Sequence, residues 1–91
     1  MKTFKATVSG QVQGVWFRDY TQKEAIKLGL KGFVKNRNDG TVYLEASGAE
    51  EALKSLAQWL NSGSPLSDVK NVEIEWGAPL RSVNNFEIKH S

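Results

Sequence analysis

The 91-residue sequence contains no cysteine and only one histidine, His90, next to its last residue. Without cysteine there is no disulfide framework, no thiolate nucleophile and no zinc–thiolate site. A lone histidine in that position reads as a tail residue rather than a catalyst. Long apolar runs are missing too: none approaches the ~18 residues a membrane-spanning helix needs. The start, Met1-Lys2-Thr3-Phe4-Lys5, carries charge but no long apolar core behind it, so it does not read as a secretory signal. These features suit a cytoplasmic protein with no membrane partner. Charge of one sign is also scarce. Twelve Lys and Arg stand against ten Asp and Glu, a net +2, which tilts weakly toward anionic partners and is no polybasic tail. There is no internal repeat, linker or low-complexity tract.

What is present is ordinary for a globular chain, with 40% hydrophobic and 24% charged residues. Residues 1–91 are expected to form a single domain. A chain of this length hides roughly two-thirds of its unfolded surface, enough for one core but not for a deep internal cavity. Any ligand site is therefore expected in a loop at an edge, and any ligand is expected to be small.

The periodicity changes along the chain. Phe4, Ala6 and Val8 alternate with Lys5, Thr7 and Ser9, the pattern of a strand buried on one face. Gly10 to Gly14 interrupts it. From Trp16 the spacing is helical, with Phe17, Thr21, Ala25 and Leu28 on one stripe and Gly29 as the stop. Leu30 to Asn36 reads as a second strand with Gly32, Val34 and Asn36 on one face. Asn38-Asp39-Gly40 is turn chemistry, and Val42, Leu44 and Ala46 mark a third strand. A second helix after Ser47-Gly48 carries Ala49, Leu53, Leu56 and Leu60. Ser62 to Ser67 reads as a loop, and Val72, Ile74 and Trp76 as a fourth strand. Gly77 to Asn85 is irregular, and Phe86 to Lys89 suggests a short extra C-terminal strand. The order predicts an α+β, ferredoxin-like βαββαβ sandwich: an antiparallel sheet with two helices packed on one face. In that topology the first and second strands are parallel, so their C-terminal ends share an edge. The Gly10–Val15 loop, Asn36 and the 38–40 turn should meet there.

Three features of that edge carry chemistry. A glycine-containing loop before a helix can curl its amides around an anion, since helix-start N–H groups lack internal partners and carry positive dipole character. Two such glycines also fit a plain turn. Arg18 in the first turn opposes the dipole, at a cost of about 0.3–1 kcal/mol, which an anion between the loop and the guanidinium would reverse. Pairing with Asp19 or Asp39 is the simpler reading. Asn36 either caps the turn or uses its amide to orient a water. Trp16, Trp59 and Trp76 read as core aromatics, Asp39 as a turn residue, and Glu50 and Glu51 as complements to the second helix dipole.

At these residues the sequence resembles the acylphosphatase family. Gly10-Gln11-Val12-Gln13-Gly14-Val15-Trp16-Phe17-Arg18 matches its first signature: Gly, any residue, Val-Gln-Gly-Val, any residue, Phe-Arg. Gly32-Phe33-Val34-Lys35-Asn36, with Gly40, Val42 and Gly48, matches its second. The resemblance continues through Trp59-Leu60, Gly63 with Pro65, and Phe86-Glu87-Ile88. Only the end differs, with His90 and Ser91 where members often finish on an aromatic or basic residue. The resemblance implies hydrolysis of small acyl phosphates to carboxylate and inorganic phosphate. Arg18 and the backbone of Gln13, Gly14, Val15, Trp16, Phe17 and Arg18 would hold the phosphoryl group, and Asn36 would position the attacking water. It further implies no cofactor and no metal, and a monomer is the default. One rival is an acylphosphatase-like domain that binds such anions without turnover. Another is an RNA-recognition module, for which Phe33 and Tyr43 among Lys5, Thr7, Lys35 and Glu45 make a poor stacking platform, so no nucleic-acid partner is expected.

Overall fold

The computed structural model describes residues 2–90; Met1 and Ser91, which the leader and tail readings touch, lie outside them. Alternating burial sets each strand, and the elements follow in the order β1 (Lys2–Gln11), α1 (Phe17–Lys27), β2 (Lys31–Asn36), β3 (Val42–Gly48), α2 (Glu50–Ser62), β4 (Asp68–Trp76) and β5 (Phe86–Lys89). The sheet order is β4-β1-β3-β2-β5. Phe4, Ala6 and Val8 of β1, Val34 of β2, and Val42, Leu44 and Ala46 of β3 turn one sheet face toward the helices. Leu53, Leu56 and Leu60 of α2 are fully buried against that face, and α1 contributes Phe17, Thr21 and Ala25. The buried Thr21 hydroxyl donates to the Phe17 carbonyl at 2.7 Å, so it enters the core with its polarity satisfied. The helices divide the sheet between them: α1 packs on β2 and β5, and α2 on β4, β1 and β3.

The βαββαβ order with an added strand is as the sequence predicts, but the sheet is mixed. β1 pairs antiparallel with β3 and β4, and β2 with β3, whereas β5 pairs parallel with β2. The long 77–85 connection allows this by carrying the chain from β4 at one edge of the sheet to β5 at the other. Three strands, β1, β2 and β5, therefore run the same way and end at one edge.

Other boundaries also differ from the sequence pattern. β1 does not stop at Gly10 but continues to Gln11, across a bulge between Ser9 and Gly10, because β4 begins four residues before Val72 and pairs with it there. The loop is thus shortened to 12–16. α1 begins at Phe17, with Trp16 outside as its N-cap in the left-handed conformation. The tryptophans are not uniformly core. Trp59 packs against Phe17, ring centroids 5.7 Å apart. Trp76 lies edge-on to Phe4 yet is 48% exposed on the outer strand, and Trp16 is 65% exposed on the loop.

The bulge depends on Gly10, whose φ is 121° and whose added Cβ would collide with the Asp68 carbonyl oxygen. Backbone cannot retreat as a side chain can. Gly10→Ala is expected to lower the unfolding free energy by at least about 2 kcal/mol in urea denaturation.

Candidate active site

The loop between β1 and α1 is pinned from both sides. Val12 and Phe17 are buried, while Gly14 and Trp16 are exposed. Between them, the Gln13 amide nitrogen donates to the carbonyls of Arg37 at 2.7 Å and Thr41 at 2.8 Å. Both partners only accept, so the nitrogen end must face them. On the other side Ser64, itself buried, donates its hydroxyl to the Val15 carbonyl at 2.8 Å. Positive φ at Gly14 (74°) and Trp16 (65°) turns the chain into the helix.

The 38–40 turn is held independently. Asp39 accepts from the Thr41 hydroxyl at 2.6 Å and its backbone N–H at 3.0 Å. The Thr41 hydroxyl holds the Asp39 carboxyl below its ordinary pKa, helped by the Thr41 backbone N–H. Asp39 is thus a turn residue, as its place before Gly40 predicts. Arg37 leaves this turn to stack on Tyr43, 4.1 Å from the ring centroid. Burial first, and then donation to Glu45 at 2.6 Å, pushes the Tyr43 phenol up to about 12.

Where the loop and the start of α1 meet the end of β2 lies a cavity of about 360 Å³, lined by Val12, Gly14, Trp16, Phe17, Arg18, Asp19, Asn36 and His90. A second cavity of similar volume adjoins it, sharing Arg18, Asn36 and His90 and adding Gln13, Arg37 and Lys89. Asn36 closes β2 with its side-chain oxygen buried, on the same strand face as Gly32 and Val34. No side chain caps the start of α1, whose first residues, Phe17, Arg18 and Asp19, line the cavity, and the first N–H groups of a helix lack intrahelical partners. Of the residues singled out from the sequence, Gly14, Trp16, Phe17, Arg18 and Asn36 line the first cavity and Gln13 the second, while Val15 lines neither and packs against the core. Among the described residues no cluster of three His, Asp or Glu is placed to hold a metal.

Arg18 does not pair with Asp19 or Asp39. The ion pairs among the described residues are Lys5–Glu75, Lys27–Glu24, Lys54–Glu50 and Lys70–Asp68. Instead Arg18 Nη1 reaches the end of β5, 3.5 Å from the Lys89 carbonyl and 3.3 Å from His90 Nδ1. A guanidinium only donates, so Nδ1 must carry no proton to accept from it. His90, read from sequence as a tail residue rather than a catalyst, lines the cavity. Its only signal is the parallel register of β5 on β2, which no local pattern reveals.

Fold and cavity together define a two-layer α+β protein with a cationic pocket at one sheet edge. The family model described as Acylphosphatase matches residues 4–88. A relative named acylphosphatase from Dehalococcoides mccartyi (strain CBDB1) is 42% identical over 91 residues, covering 99% of this chain and 100% of that protein. The crystal structure of acylphosphatase from Bacillus subtilis matches with a TM-score of 0.93 at 40% identity, over 98% of this chain and 99% of that one. An acylphosphatase structure from Coxiella burnetii gives 0.92 at 38%, over 97% and 92%. The chain belongs to the acylphosphatase family of enzymes.

Gln13 makes the testable tie. Gln13→Leu keeps the volume but removes both donors, each worth about 1 kcal/mol net. In native-state hydrogen exchange the amides of residues 12–16 should exchange about tenfold faster or more, while amides of the central strands are unchanged.

Proposed function

We propose that this chain hydrolyses the carboxyl–phosphate bond of small acyl phosphates, releasing carboxylate and inorganic phosphate. One observation carries the reading: the Arg18 guanidinium, the open start of α1 and the Asn36 amide line a single cavity. The phosphoryl group sits between the guanidinium and the backbone N–H groups of Gln13 to Arg18. An anion there turns two local penalties into attractions, since it meets both the dipole and the cation that opposes the dipole. The arginine fork donates two parallel hydrogen bonds to phosphoryl oxygens, which a lysine cannot do.

Asn36 orients the attacking water. Its amide nitrogen offers a donor to the water's oxygen at the end of β2, while the amide oxygen stays buried. Phosphoryl transfer needs chiefly in-line placement and stabilisation of charge on the equatorial oxygens. The leaving carboxylate is stable without protonation, so no strong general acid is needed. The water's proton passes to the substrate's own phosphate. The side chains at the cavity suffice for this without a metal or cofactor.

The same reading takes residues 1–91 as one domain acting as a cytoplasmic monomer, with acyl phosphate and inorganic phosphate as its small-molecule ligands. No helix among the described residues is long and apolar enough to cross a membrane. Nothing favours an RNA-binding reading: Phe33 and Tyr43 lie 6.0 Å apart on the open sheet face, but Lys89 sits over one ring and Arg37 over the other, both at 4.1 Å.

The test is hydrolysis of benzoyl phosphate, with and without EDTA, by the wild type, Arg18→Ala and Asn36→Ala. Turnover should survive EDTA and fall by about a hundredfold or more in each folded variant. Binding of phosphate by a folded wild type that shows no turnover would leave an anion-binding domain and reject the hydrolase.

A further inference from the structure

Trp16 contradicts two local rules at once. It is a large apolar side chain left 65% exposed. It is also the only non-glycine residue with positive φ among those described, at 65°. The left-handed region brings Cβ too close to the following carbonyl, and bulky residues avoid it. Glycine would occupy the position without that penalty, as Gly14 does two residues earlier at φ 74°. Strain of this kind persists where the surroundings over-determine it, and it clusters at ligand sites.

Exposure alone means little, because single apolar residues on a surface are normal. Ile26 and Leu66 are exposed to a similar degree, at 57% and 70%, and neither lines the cavity. Trp16 does. With Val12 and Phe17 it supplies the apolar part of a lining whose polar part is Arg18, Asp19, Asn36 and His90. Phe17 is buried and engaged with Trp59, and Val12 is buried too, so among these three only the indole is free to cover a ligand. A cavity whose lining combines a cation and an amide with an exposed indole fits a ligand that has an anionic half and an apolar half. Aromatic faces prefer planar apolar partners at stacking distance.

Resting on the hydrolase reading above, we infer that Trp16 is a specificity residue that covers the acyl half of the substrate, favouring acyl phosphates whose acyl group is planar and apolar. The indole contributes little to the phosphoryl group, which the loop backbone and Arg18 hold. Replacing the side chain therefore acts differently on substrates that share the phosphoryl group and differ in the acyl group.

The test compares kcat/KM for benzoyl phosphate and acetyl phosphate in the wild type, Trp16→Gly and Trp16→Phe. Trp16→Gly relieves the backbone strain while removing the ring, and Trp16→Phe keeps a ring. Any shared loss of phosphoryl holding cancels in the benzoyl-to-acetyl ratio. That ratio should fall about tenfold in Trp16→Gly and stay within about threefold of wild type in Trp16→Phe. An unchanged ratio in Trp16→Gly, with both substrates still turned over, overturns the role of Trp16 and leaves the hydrolase intact. Failure of the wild type to hydrolyse either substrate overturns the hydrolase reading and this inference with it.

Discussion

Two carbonyl groups of the turn after β2, those of Arg37 and Thr41, face the loop that follows β1, and the Gln13 amide nitrogen answers both. The Thr41 carbonyl also receives the Arg37 backbone N–H at 2.8 Å, so the same oxygen closes the turn and anchors the loop. With Ser64 holding the Val15 carbonyl, the loop is tied at Gln13 and Val15, four and two residues before Phe17 opens α1 and enters the core. Gly14 and Trp16 lie beside these anchors, free of the core. The position of the cavity's loop wall follows from these hydrogen bonds more than from apolar burial. Their geometry is strict where hydrophobic contact is forgiving.

Around that frame the local rules hold nearly everywhere. The strands alternate, α2 buries one stripe, Asp39 closes its turn, and Glu50 and Glu51 stand at the positive end of α2. The violations gather in one place. Arg18 puts a cation at the start of a helix, no side chain caps that helix, and Trp16 holds a conformation suited to glycine. Each is unfavourable alone by an amount on the order of 1 kcal/mol. The phosphoryl ligand proposed above would offset the first two, and clustered violations are the pattern expected where function overrides stability.

Much of this was legible in the residues. Period-two and period-3.6 patterns identified the strands and helices, and topology alone predicted that the loop, Asn36 and the 38–40 turn share an edge. Of the first signature, Val12, Gly14, Trp16, Phe17 and Arg18 line the cavity, which Asp19 and His90 from outside both signatures also line. The misses have a common cause, in contacts between segments far apart in sequence. β1 runs on past Gly10 because β4 starts early beside it. The sheet is mixed because β5 docks parallel to β2, and the same docking carries His90 to Arg18. The tryptophans read alike as large apolar residues, yet Trp16 and Trp76 stay exposed because a loop and an edge strand leave them no second layer to pack beneath.

The central claim is that the loop backbone, Arg18 and Asn36 form one phosphoryl-binding site. Titration of inorganic phosphate into the 15N-labelled protein tests it most directly, because phosphate is both the expected product and the shared half of every substrate. The account predicts saturable shifts concentrated on the backbone amides of residues 13–18 and on the side-chain signals of Arg18 and Asn36. Shifts centred instead on the basic cleft of Lys31 and Arg81 on the opposite sheet face, or no shifts at phosphate concentrations of tens of millimolar, roughly ten times or more any Kd up to about 1 mM, would contradict it.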